Sequence, residues 1–125
     1  MTLPERITAK AFKASNGELA WRRADLEEAI TAIRNSRQAI LGGEVWLITS
    51  SDTWNGLIPT ETSNHAAWHW QTKARSKAES WDAYCQRTAD ESLQAAGSLN
   101  VEDETPPSLR ERLRFNVTYA AEEEE

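Results

Sequence analysis

An α+β fold is what this sequence predicts: a two-layer sandwich with a mostly antiparallel sheet of four to five strands and two helices on one face. Three observations carry the prediction. Residues 25–41 and 77–96 repeat apolar side chains at i, i+3 and i+4. Residues 109–120 alternate apolar and polar side chains more cleanly than any other segment. Between the helical stretches lie two runs rich in β-branched and aromatic residues, 44–50 and 66–73. Two amphipathic helices each need an apolar surface, and an antiparallel sheet with one buried face supplies it. The expected order is β-α-β-β-β-α-β.

Residues 5–13 alternate weakly, with Ile7, Ala9 and Ala11 against Arg6, Thr8 and Lys10, which suits a short edge strand. Asn16-Gly17 then makes a turn. The helix over 25–41 opens on a capping pair, Asp25 and Glu28, and buries Leu26, Ala29, Ile30, Ile33, Ile40 and Leu41. Gly42-Gly43 ends it, because glycine tolerates a left-handed cap. Residues 44–50 form a nearly continuous apolar run, read as a central strand. Asn55-Gly56 is the strongest hairpin signal in the chain, and Pro59 confines any strand at 57–59 to an edge or an end.

In the strand over 66–73, Trp68 and Trp70 share one face, with Ala67, His69 and Gln71 on the other. Ser76 and Glu79 form a second capping box before the helix over 77–96. That helix turns Trp81, Tyr84, Cys85, Thr88, Ala89, Ser92, Leu93 and Ala96 inward and is closed by Gly97. Residues 100–108, with Pro106-Pro107, are a loop. On the last strand Leu113, Phe115, Val117 and Tyr119 face one way. Arg110, Arg112 and Arg114 line the other side as a basic ladder.

The length of 125 residues suits one domain over 1–121, followed by an acidic, disordered tail at 122–125. The net charge is −6, and without Glu122 to Glu125 it is −2. An acidic balance argues against a nucleic-acid phosphate backbone as ligand and favours a basic protein partner. Residues 1–10 carry no apolar run of the kind a secretory signal needs, and no stretch reaches the roughly 20 apolar residues of a membrane span. The single Cys85 forms no internal disulfide. A cytoplasmic protein is the expectation.

Catalytic signatures are few. His65 and His69 have the spacing of a metal pair on a helix, but they fall in a strand pattern without a third ligand nearby, so neither metal nor cofactor is expected. Cys85 sits on the apolar stripe of its helix, the place of an inert thiol. Asp52, Glu44 and Glu61 are carboxylates that the hairpin region brings near one another, a weak match to a glycosidase pair. No nucleophile elbow or phosphate loop is present. The chain is expected not to be an enzyme.

Tryptophan supplies the functional signal. Six occur, at 21, 46, 54, 68, 70 and 81. Tryptophan is enriched at interface hot spots, and a chain this short rarely needs so many for its core alone. Trp54, beside Asn55-Gly56, is the leading candidate for a contact residue at a hairpin tip, with Asp52 and Glu61 as polar neighbours. The competing reading has Trp54 folded back over the sheet as a lid. Trp68 and Trp70, with His69 between them, are either core or an exposed aromatic strip.

The segments Glu44-Val45-Trp46-Leu47, Ala67-Trp68-His69-Trp70 and Glu79-Ser80-Trp81, in one small acidic domain, resemble the small bacterial immunity proteins of contact-dependent and polymorphic toxin systems. The resemblance implies a non-catalytic protein that binds and blocks a cognate toxin, its acidic and aromatic surface meeting a basic site. Trp54→Ala is then expected to weaken binding and leave stability nearly unchanged. Two other readings stand beside it. One is a small-ligand or peptide domain lined by Trp68, Trp70 and His69. The other is a phage-type inhibitor of a nucleic-acid enzyme that uses acidic surface to mimic phosphate.

Overall fold

The computed structural model describes residues 3–60 and 65–124. It is an α+β protein with a mostly antiparallel sheet and four α-helices. In chain order these are α1 (Glu5–Thr8), β1 (Phe12–Lys13), β2 (Leu19–Trp21), α2 (Arg23–Asn35), β3 (Ala39–Ile48), β4 (Trp54–Asn55), β5 (Leu57–Pro59), β6 (His65–Ala67), β7 (His69–Gln71), α3 (Trp81–Gly97), α4 (Val101–Glu104) and β8 (Leu113–Ala120). Short 3-10 turns at Pro107–Arg112 and Glu122–Glu124 flank β8. The main sheet runs β1-β2-β8-β3-β4, with β7 also paired to β3. β5 and β6 form a separate two-stranded ribbon. Every pairing is antiparallel.

β3 is the axis of the sheet. One edge pairs with β8 from Ala39 to Leu47. The other edge holds β7 at Gly42–Glu44 and β4 at Leu47–Ile48. Its side chains alternate between two buried environments, which is why the sequence reads there as an unbroken apolar run. Val45 and Leu47 join Phe115, Leu113, Val117 and Trp21 in one core with Leu26, Ala29, Ile30 and Ile33 of α2 and Ala89 and Ala96 of α3. Trp46 points the other way, into a smaller cluster with Ala14 and Ala20, bordered by Phe12, Ile48 and Trp54. The first face is called inner below and the second outer.

The register of β3 slips between Ile40 and Gly42, leaving Leu41 as the extra residue of a bulge. A bulge strands backbone groups, and the neighbouring elements satisfy them. The Ile40 amide donates to Thr88 Oγ1 at 3.0 Å, and the Ile40 carbonyl accepts from Thr72 Oγ1 at 2.7 Å. Two buried polar residues of α3 thereby find their purpose: Thr88 serves the bulge, and Ser92 Oγ accepts the Trp70 indole N–H at 3.0 Å.

Several sequence expectations need correction. Residues 5–8 are helical, not extended, because Pro4 supplies a helix-compatible start and Ile7 is buried in the main core. β2, unforeseen in the sequence, carries the fully buried Trp21, whose indole N–H donates to the Ile7 carbonyl at 2.9 Å. The helix expected over 25–41 runs only over Arg23–Asn35, and Ile40, Leu41, Gly42 and Gly43 belong to β3. The helix ends instead at Arg37, the sole non-glycine residue with positive φ (59°) among those described. The Arg37 and Gln38 amides donate to the Arg34 and Ile33 carbonyls, at 2.9 and 3.2 Å. This is the Schellman closure with arginine in the place glycine usually takes.

Gly42 and Gly43 are glycines for another reason. A Cβ on Gly43 would lie 2.2 Å from the Trp70 ring and 2.5 Å from the Asn116 carbonyl oxygen, and one on Gly42 would lie 2.6 Å from the Trp70 carbonyl oxygen. They let β7 and its indole lie directly against β3. Asp25 is not a cap either: α2 starts at Arg23 without a side-chain cap. Arg23 itself pairs with Glu102 and donates to the Ala96 and Leu99 carbonyls at 3.1 and 2.7 Å, tying α2 to the end of α3.

The helix expected over 77–96 spans Trp81–Gly97, with its inward face as foreseen and Leu93 only partly buried. Its cap is Ser80, whose Oγ accepts the Ala83 amide at 3.1 Å. Glu79 accepts the Ser76 amide but spends most of its carboxylate on Arg87. The loop over 100–108 contains α4, and the last strand begins at Leu113. Arg110 and Arg112 therefore lie in a 3-10 turn after Pro106-Pro107 and form no ladder with Arg114. The terminal acidic run begins as a 3-10 turn in which Glu122 pairs with Arg75 at 3.3 Å.

Candidate binding face

The outer face of the sheet gathers the sequence candidates that stay near the surface. Its centre is an aromatic stack. Trp46 is fully buried, and the Trp54 ring lies parallel on it, with centroids 4.0 Å apart and planes 4° apart. Phe12 meets Trp46 edge-on at 6.1 Å. Parallel and T-shaped contacts together satisfy the ring quadrupoles, and such pairs add roughly 0.5–1.5 kcal/mol beyond their buried area.

Trp54 is not at a hairpin tip. The β3–β4 turn is residues 49–53, closed by the Thr49 amide on the Thr53 carbonyl at 2.9 Å, and Trp54 is the first residue of β4, opposite Ile48. Asn55 ends β4 and Gly56 alone separates it from β5, with Asn55 Oδ1 accepting the Leu57 amide at 2.9 Å. A type I′ hairpin needs positive φ at both central residues, and neither Asn55 nor Gly56 has it. Trp54 is half-buried and forms a lid over Trp46. Asp52 is exposed in the turn, its carbonyl accepting the Ser15 amide at 3.2 Å. Glu61 lies outside the described residues.

Trp68 and Trp70 share a face, and it is the inner one. Trp70 is 7% exposed and Trp68 half-buried, both packed against the main core. They make no outward aromatic strip, and of the three residues of the small-ligand reading Trp70 and His69 line a surface groove. The Trp68 indole nitrogen is buried without a hydrogen-bond partner. His69 and Gln71 do face outward, and both are exposed. With Leu41, Gly42, Gly43, Glu44, Trp70 and Thr118 they line a groove of about 280 Å³. Glu44 is the direct cross-strand neighbour of His69. Its Oε1 accepts the Trp46 indole N–H at 3.0 Å. A Cβ on Gly56 would stand 3.3 Å from the Trp54 ring and 4.0 Å from Glu44 Oε2, so stack and groove adjoin.

Elsewhere the chemistry is quiet. Cys85 is 2% exposed, and burial first, then the charge of Asp82, pushes its thiol up from the usual range. A thiol so placed is a poor nucleophile. His65 and His69 lie on separate strands. Among the described residues no three His, Cys, Asp or Glu side chains are grouped to hold a metal ion, and no helix is long and apolar enough to cross a membrane.

Sequence reasoning set His69 and Gln71 on one strand face but did not join Glu44 to them, since only the β3–β7 register makes Glu44 and His69 neighbours. Comparison with known protein families, characterised proteins and solved structures gave no match.

Proposed function

We propose that this protein is a non-catalytic protein-binding module, a cytoplasmic immunity or inhibitor protein that binds and blocks a basic toxin or effector. In this reading the domain is a two-layer sandwich with helices behind and the binding face in front. The observation that carries it is the outer face itself, where a half-buried Trp54 lies on Trp46 beside the Glu44 carboxylate. Aromatic anchors next to acidic groups are the composition of a hot spot for a cationic partner. The net charge of −6 favours encounter with a basic chain.

The test is affinity capture of the tagged protein from its host, followed by reconstitution of the purified pair. A stoichiometric complex with a basic protein, whose activity is blocked by this chain and restored by Trp54→Ala, is the expected result. A complex indifferent to Trp54→Ala and to Glu44→Gln would overturn the assignment of the face. Failure of any captured protein to be inhibited would overturn the inhibitor role.

A further inference from the structure

The outer groove contains a carboxylate without a cation of its own. Glu44 is half-buried at the middle of the central strand. Its Oε1 is taken by the Trp46 indole, while no hydrogen bond among the described residues reaches Oε2. None of the ion pairs among the described residues includes Glu44. His69 stands directly across on β7, and among the described residues no side-chain hydrogen bond joins the two. A carboxylate partly withdrawn from water and left unpaired gains more from an incoming cation than a solvated one does.

Resting on the protein-binding role above, we infer that this groove seats an arginine side chain of the partner. Charge complementarity selects a cation, because Glu44 is the one ionised acid on the lining. The lining selects guanidinium over ammonium. The lining also carries two further groups able to accept a hydrogen bond, the Gln71 amide oxygen and the Thr118 hydroxyl. A planar fork of five N–H donors uses several such acceptors at once, whereas an ammonium is a compact and strongly hydrated point charge. Gly42, two residues from Glu44 on the same face of β3, puts no side chain between its cross-strand neighbours Gln71 and Thr118.

The Trp46 indole N–H reports on the site, since its acceptor is the Glu44 carboxylate. The full chain, labelled with nitrogen-15, is titrated with N-acetyl-arginine methylamide. The lysine analogue and the citrulline analogue, which has the same shape and no charge, serve as comparisons. A saturable shift of the Trp46 indole resonance with arginine, weaker with lysine and absent with citrulline, is expected. Glu44→Gln, which keeps an amide oxygen for Trp46, is expected to lower the arginine affinity by about tenfold or more. Should that variant fail to fold, Gln71→Ala at an exposed position is expected to weaken binding severalfold. Equal shifts with citrulline, or no saturable shift with arginine, overturn the site, and equal binding of lysine overturns the choice of guanidinium. The titration contains no partner protein, so the two proposals fail separately. A groove indifferent to arginine beside a captured complex broken by Trp54→Ala overturns the groove alone. A groove that takes arginine when no captured protein is inhibited sustains the groove and ends the inhibitor role.

Discussion

The two faces of the sheet use the same residue type for different purposes. On the inner face Trp21 and Trp70 are sealed beneath helices, and each indole N–H is held by another element, the Ile7 carbonyl or Ser92. On the outer face no helix joins the cluster. Trp46 is covered by two short strands and a single stacked ring, and its N–H goes to a carboxylate two residues away on its own strand. Inner tryptophans lock distant segments together. The outer pair is local, and its lid is only half-buried. A tryptophan is structural when other elements close over it, and becomes available for contact when only a neighbouring turn does.

That contrast can be broken most sharply at the inner face. Fully burying about 200 Å² of indole is worth about 5 kcal/mol at about 25 cal/mol/Å². Trp70→Ala is expected to cost about 4 kcal/mol in urea or guanidinium unfolding, from lost burial, a cavity and an orphaned Ser92. Gly43→Ala alone is expected to cost about 3 kcal/mol, because the added methyl meets the ring and the Asn116 carbonyl. In the double variant the ring clash is gone, so the two costs should fall short of additive by about 1 kcal/mol or more. Strict additivity would mean that Gly43 serves something other than the approach of Trp70.

The outer face should respond less. Trp54→Ala removes one stacked ring from a half-covered site, and about 1–2 kcal/mol is expected, with Trp46 fluorescence shifting as water reaches its face. The stack revises the sequence expectation of a nearly unchanged stability. A loss as large as that of Trp70→Ala would place the outer cluster on the same structural footing as the core.

The smallest effect is expected away from both faces. Arg37 holds a left-handed conformation that an L-residue adopts at a cost of about 1–2 kcal/mol, against which its exposed pair with Asp82 contributes little. Arg37→Gly is expected to raise the unfolding free energy by about 0.5–1 kcal/mol in urea unfolding, since glycine gives back part of the gain as entropy. A fall would show that the Asp82 pair outweighs the strain.

Much of the fold was legible along the chain wherever one element has one wet face. The stripe of α3 from Trp81 to Ala96 and the alternation of Leu113, Phe115, Val117 and Tyr119 follow directly from periodicity. Legibility failed where a third element intervenes. Ile40 and Leu41 continue the apolar spacing of α2 and so read as helix. Their strand state is fixed by pairing with β8 and by Thr88 and Thr72, residues dozens of positions away. Gly42-Gly43 reads as a helix stop because the local reason for glycine is common, while its actual reason, the Trp70 ring, is 27 residues distant from Gly43. The groove was illegible for the same cause: Glu44 and His69 become neighbours only through the β3–β7 register.

By itself the sequence determined the α+β class, the faces of α3 and β8, the acidic balance and the concentration of tryptophan, because each is a property of composition or of one element's period. Tertiary structure decided the length of β3, the bulge at Leu41, which tryptophans are sealed and which is a lid, and the meeting of Glu44 with His69 and Gln71. Those outcomes depend on strand pairing and close packing between distant segments, and neither is encoded in the spacing of residues along one element.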